Sequence, residues 1–338
     1  MKRISLKDVA REAGISTSAV SFILNGRAEE MRISKDLEKR VQAIASKLGY
    51  VPNQVAVSLR TGQSKMIGLI VESISGHFFG LLAKIIEDEA EKAGYKLLYS
   101  STENRAQRGI EILKMFSQQQ VDGYLITPAK GMEKEISNIA DHNKPLVLID
   151  SYFPSDSISH VLVDNYKGMM MGMEHLFEKG YKNIVFVTVD LPLVQIEERK
   201  TAFTDALKSR KIKNANAQVL VIPYNSSGND IVKRVKEFIT AKPVDAIFFA
   251  TNYLGIHGLE CIQQMNLQMP TEIAMICFDD HDLFRLFPKG ITAIQQPIDE
   301  IAKKAIGLLI KQLETGRNNK QVYEQAKLAP LLIQRGST

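Results

Sequence analysis

The first fifty residues contain three short stretches in which apolar residues recur every three or four positions, the spacing of one helical face. A serine, which is a favoured helix N-cap, stands directly before each stretch. With Asp8 three positions after it, Ser5 also fits a capping box. Three such helices can enclose one small core. The predicted helices run from Leu6 to a break at Gly14, from Thr17 to about Leu24, and from the residue after Ser34 to Gly49.

Beyond Ser64 the pattern changes to apolar runs that alternate with amphipathic helices, for example 79–93 and 169–177. Apolar strands joined by helices predict parallel sheets that are covered on both faces. The number of strands and a break near 150–165 predict two lobes. Because such sheets bind ligands at the carboxyl ends of their strands, we expect a ligand cleft between the lobes. The predicted strands are 66–71, 96–100, 123–127, 146–150, 161–164, 184–189, 219–223, 246–250 and 274–278.

Two short helices joined by a tight turn at Gly14 form a helix-turn-helix pattern. The first sixty residues hold 11 Lys or Arg and 6 Asp or Glu, so the formal net charge of +5 lies entirely there. A basic unit on a neutral body suggests a polyanionic partner. In this motif the start of the second helix meets the base edges of the major groove. Its small polar outer face favours DNA over the alternative, a three-helix bundle that binds protein.

Composition and motifs exclude several classes of protein. The chain is 45% hydrophobic and 24% charged, as in ordinary globular proteins, and no apolar run is long enough to span a membrane. No apolar segment follows the basic residues near the start, so we expect a cytoplasmic protein. Cys261 and Cys277 lie in apolar sequence and are expected to be buried free thiols. No nucleotide-binding, serine-hydrolase or metal-ligand spacing is present, so we expect no catalytic residues, no metal and no cofactor.

The N-terminal segments LKDVA at 6–10, AGIS at 13–16, VS at 20–21, LNG at 24–26, GYVPN at 49–53 and SLRTG at 58–62 resemble the signature of the LacI/GalR family. The resemblance continues through DN at 164–165, GMEHL at 172–176, GY at 180–181, Arg199, FDD at 278–280, AIQQP at 293–297 and LIQRGST at 332–338. It implies an all-α helix-turn-helix DNA-binding domain plus an α/β two-lobed, periplasmic-binding-protein-like (type I) effector domain. It also implies that three strands cross between the lobes and that the last part of each lobe comes from late sequence.

The expected domain boundaries follow from this resemblance. Residues 1–51 would form the DNA-binding domain, 52–63 a hinge helix or linker, and 64–338 an effector-binding and dimerisation domain. We expect the first lobe at about 64–163 and 293–322, and the second at about 164–292 and 323–338.

The resemblance also implies a hinge helix at 53–60, which forms when two chains sit on DNA. Leu59, with Ala56 beside it, would press into a minor-groove base step and bend the duplex. Phe22 stands where the family usually has Arg, and Phe cannot make the bidentate contact of Arg to guanine, so we expect an altered operator. Val57 is a second departure. The expected DNA-binding residues are Ser5, Leu6, Ser16, Thr17, Ser18, Ala19, Ser21, Phe22, Asn25, Tyr50, Asn53, Ala56 and Leu59.

Ten residues at strand ends or family positions are candidates for ligand binding. Phe78 and Phe79 could stack on a ligand or belong to the core, and Asp150 could be a simple cap. The resemblance implies that Arg199 binds ligand hydroxyls or a carboxylate. Tyr253 replaces a usual Asp, and His77 a usual Pro. The full set is Ser73, His77, Phe78, Phe79, Asp150, Arg199, Asn252, Tyr253, Asp279 and Gln296.

The helix-turn-helix and the resemblance together predict a transcription repressor that binds double-stranded operator DNA under the control of a small molecule. The resemblance implies that this small molecule is a sugar or sugar derivative. A ligand-dependent activator and a corepressor-dependent regulator that responds to a nucleobase remain alternatives. An enzyme and a transport-associated sugar-binding protein are more distant ones. Because the sequence ends at the family's terminal strand without a heptad helix, we expect a homodimer rather than a tetramer.

Overall fold

The computed structural model describes residues 4–51, 58, 61–153, 158–212, 218–315 and 323–338. The chain divides into two compact units, Met1–Ser64 and Lys65–Thr338. The first unit holds α1 (Leu6–Ala13), α2 (Thr17–Leu24) and α3 (Lys35–Leu48), which match the predicted helices.

Short polar contacts fix the ends of these three helices. Ser5 and Asp8 form the predicted capping box of α1, and Ser16 and Ser34 accept backbone N–H groups at the starts of α2 and α3. The Arg40 guanidinium donates to the carbonyl of Ala13 at 2.8 Å, which ties α3 to the end of α1. The buried core between the helices comprises Val9, Ala10, Ala13, Val20, Ile23, Ala28, Val41 and Ala45.

The second unit contains two six-stranded sheets, and each defines one lobe. The first lobe has the strand order β11-β5-β4-β3-β1-β2, with every neighbouring pair parallel. Its strands are β1 (Met66–Val71), β2 (Lys96–Ser101), β3 (Gly123–Ile126), β4 (Leu146–Ile149), β5 (Ser159–Val163) and β11 (Gln325–Leu328). Its helices are α4 (His77–Lys92), α5 (Ala106–Gln118), α6 (Glu133–Asp141) and α12 (Ile298–Thr315).

The second lobe repeats this arrangement, with the order β12-β10-β9-β8-β6-β7. Only its edge strand β12 is antiparallel to its neighbour. The strands are β6 (Ile184–Asp190), β7 (Val219–Pro223), β8 (Ala246–Phe249), β9 (Ala274–Phe278), β10 (Thr292–Gln295) and β12 (Leu331–Ile333). The helices are α7 (Asn165–Glu178), α8 (Val194–Ser209), α9 (Gly228–Thr240), α10 (Asn252–Gln264) and α11 (Asp282–Leu286).

The chain crosses between the lobes three times: after β5, after β10, and between β11 and β12. This number agrees with the expectation, but the expected lobe boundaries at 293 and 323 are wrong. Strand β10 pairs in the second sheet, and β11 pairs with β5 in the first, so both later crossings fall further along the chain. Both strands contain polar residues, Thr292 and Gln295 in β10 and Gln325 and Lys327 in β11, so neither has the apolar run that identifies a buried strand.

Helix α12 completes the first lobe although its sequence follows the second. Its apolar face packs against β3, β4 and β5 and against α4. The buried residues of that face are Ile301, Ala302, Ala305, Ile306, Leu308 and Leu309. Both sheets thus have buried cores, and polar residues follow the carboxyl ends of several of their parallel strands.

Candidate functional site

Helix α2 has one face buried in the core of the first unit and one face exposed. Val20 and Ile23 are buried in the core of the first unit, while Thr17 and Ser18 are exposed and Ala19 is partly buried. The Ser16 hydroxyl accepts the N–H of Ala19 at 3.2 Å. The residues predicted to meet base edges thus stand at the capped, outward-facing start of the helix.

The C-terminal end of α2 is also fixed by its own side chains. Asn25 caps it and donates from Nδ2 to the Ser21 hydroxyl at 3.2 Å. The Arg27 guanidinium lies 5.5 Å from the centre of the Phe22 ring and forms an ion pair with Glu30 at 2.6 Å. A cation therefore stands beside Phe22, the residue that replaces the family's usual Arg.

Two of the expected DNA-binding residues have a second role in the core. Leu6 and Tyr50 are partly buried and pack against the apolar cluster of the first unit. Asn53, Ala56 and Leu59 lie outside the described residues, as does Val57. The expected hinge helix at 53–60 therefore stays a prediction.

A cavity of about 1050 Å³ lies between the two lobes of the second unit, at the carboxyl ends of the strands. The ligand cleft was expected at this position. The cavity lining includes all ten candidate ligand residues: Ser73, His77, Phe78, Phe79, Asp150, Arg199, Asn252, Tyr253, Asp279 and Gln296.

Asp150 and Asp279 occupy equivalent places in the two lobes. Each directly follows the third strand of its sheet, β4 or β9, and each has a positive φ, 67° and 69°. This left-handed conformation is uncommon for residues other than glycine. It turns both carboxylates into the cavity.

Arg199 on α8 is almost fully buried and is held by several neighbours. Its Nε donates to Asn165 Oδ1 at 2.9 Å, and a terminal nitrogen donates to the carbonyl of Ala250 at 2.7 Å. The same nitrogen lies 3.3 Å from Asp279 Oδ2, and the guanidinium stacks on Phe278 at 3.7 Å. Arg199 therefore positions Asp279 as well as lining the cavity.

Two glutamines hold these carboxylates in place. Gln195 Nε2 donates to Asp150 at 3.0 Å across the cleft, and Gln296 Nε2 donates to Asp279 at 2.6 Å. The amide oxygens of both glutamines are buried and have no hydrogen-bond partner. Both oxygens are thus available acceptors beside a carboxylate.

Glu72, directly after β1, is a cavity residue that the sequence reasoning missed. The Tyr224 hydroxyl of the opposite lobe donates to its carboxylate at 3.2 Å. Burial, and then the charge of Asp150, raise the pKa of Glu72 to about 7. Burial also raises the pKa of Asp150 to about 6, although the charge of Arg199 opposes this.

A histidine pair adds a further contact between the lobes. His77, the first residue of α4, and His281, just before α11, have ring centres 4.4 Å apart. Burial lowers the pKa of His281, and the neighbouring His77 lowers it further. His77 and Phe78 belong to α4, which begins two residues earlier than the predicted helix.

The aromatic candidates contribute mainly to packing. Phe78 and Phe79 are 9% and 8% exposed and belong to the core of the first lobe, so only a small part of each ring faces the cavity. Tyr253 is partly buried against the core of the second lobe.

Asn252 is the first residue of α10 and does not end a strand, although this was expected of it. Both cysteines are buried free thiols, as expected.

Residues 5–53 match the family model "Bacterial regulatory proteins, lacI family", and residues 173–338 match the "Periplasmic binding protein-like domain". A helix-turn-helix unit with a two-lobed, cavity-bearing domain defines a class of ligand-responsive, DNA-binding regulators. The chain belongs to the lacI family of bacterial regulatory proteins.

Similar proteins have this organisation over nearly their full length. The ribose operon repressor of Escherichia coli K12 is 28% identical over 336 residues, which cover 98% of this chain and 99% of that protein. The HTH-type transcriptional repressor PurR of Aliivibrio fischeri is 25% identical, with 98% of each chain covered. The Lac repressor dimer bound to operator and the anti-inducer ONPF has the same fold, with a TM-score of 0.85, 21% identity and 99% of each chain covered.

Two further properties concern only the part of the chain that the structure describes. It contains no helix that is both long and apolar enough to cross a bilayer. It also contains no cluster of three or more His, Cys, Asp or Glu side chains arranged to hold a metal ion.

Proposed function

We propose that this protein is a cytoplasmic repressor that binds operator DNA as a homodimer through α2 and is controlled by an effector in the cavity between its lobes. The observation that carries the proposal is this cavity, in a chain that also contains a capped helix-turn-helix. Relatives with repressor names, including the ribose operon repressor, support it. We further propose that the protein is not an enzyme.

For the effector, we propose a sugar or sugar derivative. The cavity offers carboxylate and amide oxygens as acceptors, and these suit a ligand with many hydroxyl donors. A similar regulator from Alkaliphilus metalliredigens, 25% identical with a TM-score of 0.70 over 81% of this chain, is complexed with D-xylulofuranose. A nucleobase would need an aromatic face to stack on, and Phe78 and Phe79 expose little of theirs.

We propose that effector and DNA are coupled through the angle between the lobes. Gln195–Asp150 and Tyr224–Glu72 join opposite walls of the cleft, so an occupant changes the contacts that hold the lobes together. The effect on operator affinity cannot exceed the difference in effector affinity between the two states. A ligand that prefers the DNA-free state acts as an inducer.

The test is selection from random duplex DNA with the purified protein at a stated salt concentration, because affinity without salt is uninterpretable. We expect a near-palindrome with a flexible pyrimidine–purine step at its centre. Failure to enrich any sequence, with or without a pool of metabolites, would contradict the proposal.

Two variants separate the two activities. Leu59→Ala should weaken operator binding and bending but leave effector affinity unchanged, because the wedge would be lost. Asp279→Asn should remove the effector response but keep basal operator binding, with Asp205→Asn on the exposed face of α8 as the control. Unchanged DNA bending by Leu59→Ala would contradict the hinge assignment, and an unchanged response of Asp279→Asn would contradict the assignment of the cavity.

A further inference from the structure

Glu72 lies in the cavity without a cationic partner. Among the described residues, no lysine, arginine or histidine forms an ion pair with it. Its hydrogen-bonding neighbours are the neutral Tyr224 hydroxyl and the Asn104 side chain, and the charged groups near it are the carboxylates of Asp150 and Glu103. A carboxylate withdrawn from water without a positive partner is unfavourable, so an occupant that supplies one would be stabilised there.

The rest of the cavity has the same acceptor-rich character. Five carboxylates and two guanidinium groups line it. Of the two guanidinium groups, Arg199 is already bound to Asn165, Ala250 and Asp279. The other, Arg105, is an exposed residue at the N-cap of α5. The excess of carboxylates over guanidinium groups therefore favours an occupant that brings hydrogen-bond donors rather than negative charge.

The two glutamines point independently to a bound ligand. Gln195 and Gln296 are 4% and 6% exposed, line the cavity, and each have an amide oxygen without a partner. A buried acceptor without a donor costs free energy, so native proteins rarely leave one unpaired. Each lies beside a carboxylate that its own Nε2 already holds, and donors from a ligand could satisfy both.

We propose that the effector is a polyhydroxylated molecule that carries a primary ammonium group, and that Glu72 selects for this charge. The proposal rests on the proposed function, since it specifies the ligand of the same cavity. The hydroxyls would donate to Asp150, Asp279 and the glutamine oxygens, while the ammonium group would donate to Glu72. Such charge-assisted hydrogen bonds are stronger than neutral ones.

This assignment distinguishes the ligand from two other sugar classes. A phosphorylated or acidic sugar would place negative charge among five carboxylates. A neutral sugar would satisfy the glutamines but leave Glu72 without a counter-charge. Only an aminated ligand satisfies both groups.

The experiment uses isothermal titration of the full chain at pH 7 with amino sugars as probes. The probes are the 2-amino-2-deoxy forms of D-glucose, D-galactose and D-mannose, each with its neutral parent and its N-acetyl derivative. We expect at least one amino sugar to bind ten-fold or more tightly than both of its uncharged counterparts. That preference should fall at least ten-fold in Glu72→Gln, and the control Glu174→Gln on the exposed face of α7 should retain it.

The outcomes separate the two proposals. If a neutral sugar binds as tightly as its amine, the selection by charge is wrong while the sugar effector stands. If no sugar of the panel binds to protein that still binds its operator, both the ammonium assignment and the sugar class are wrong. If Glu72→Gln keeps the full preference and unfolds at a temperature no lower than the unaltered protein, Glu72 is not the selecting residue.

Discussion

Replacing Glu72 by Gln should stabilise the ligand-free protein in a pH-dependent manner. Burial and the charge of Asp150 raise the pKa of Glu72 from 4.5 to about 7. The folded state therefore binds a proton more tightly than the unfolded chain. The contribution of Glu72 to the free energy of unfolding is therefore fully present below pH 4.5, and it is lost as the pH rises through 7 and the side chain ionises. Gln cannot ionise and can still accept from Tyr224, so it avoids this loss.

The size of the effect follows from the shift. One pKa unit corresponds to about 1.4 kcal/mol, so the charged form of Glu72 costs about 3 kcal/mol at pH 8 and less than about 1 kcal/mol at pH 5. In a domain of this size, each kcal/mol of added stability raises the thermal midpoint by about 2–4 °C. We therefore expect Glu72→Gln to raise the midpoint at pH 8 in that proportion.

The assay is thermal unfolding of ligand-free protein, followed by circular dichroism at pH 5 and pH 8. Glu174→Gln makes the same chemical change on an exposed helix face and should alter neither midpoint. An equal gain at both pH values, or no gain at pH 8, would refute the reasoning, because only ionisation of Glu72 produces the difference between them.

Two further pairs of variants test the packing of the two units. Ser16→Ala and Ser34→Ala each remove a helix cap worth about 1 kcal/mol, so both should lower the thermal midpoint of the first unit. Only Ser16→Ala should also weaken operator binding, measured in a fluorescence assay. Equal operator affinity for the two would contradict the placement of α2 on DNA. A methyl group at Gly258 would lie 2.1 Å from the Phe249 ring, so Gly258→Ala should destabilise the second lobe by about 1–3 kcal/mol in urea unfolding. Gly307→Ala, also in a helix but with open space around it, should be neutral or stabilising, and a loss there would refute the comparison.

The strands and helices that the sequence predicted best are those with strong local signals. Three of the predicted strands have the observed bounds, including 66–71 and 274–278, because an unbroken apolar run marks a strand buried on both faces. The N-cap serines placed the first three helices equally well. Strands β10 (TAIQ) and β11 (QAKL) were not identified, because polar residues interrupt their apolar positions. The terminal strand β12 was expected only from the family resemblance, because its three residues give no pattern of their own.

Local sequence signals also decided which cavity residues could be predicted. Asp150 and Asp279 were found because they directly follow buried strands, and the same rule could have found Glu72 after β1 and Tyr224 after β7. No local pattern marks Gln195, which is near the start of a helix and matters only because the opposite lobe brings Asp150 within 3.0 Å. Contacts between lobes depend on how far the cleft closes, and neither propensity nor periodicity encodes that.

The three crossings between the lobes have a consequence for synthesis on the ribosome. The first lobe lacks α12 and strand β11 until most of the second lobe has been translated. The sheet of the second lobe still lacks its edge strand β12 at that stage. Neither lobe can therefore mature as an autonomous N-terminal folding unit, although most domains fold in order as they emerge. The part of the first sheet that α12 covers, on β3, β4 and β5, therefore stays exposed and prone to aggregation until residues 298–315 have been synthesised.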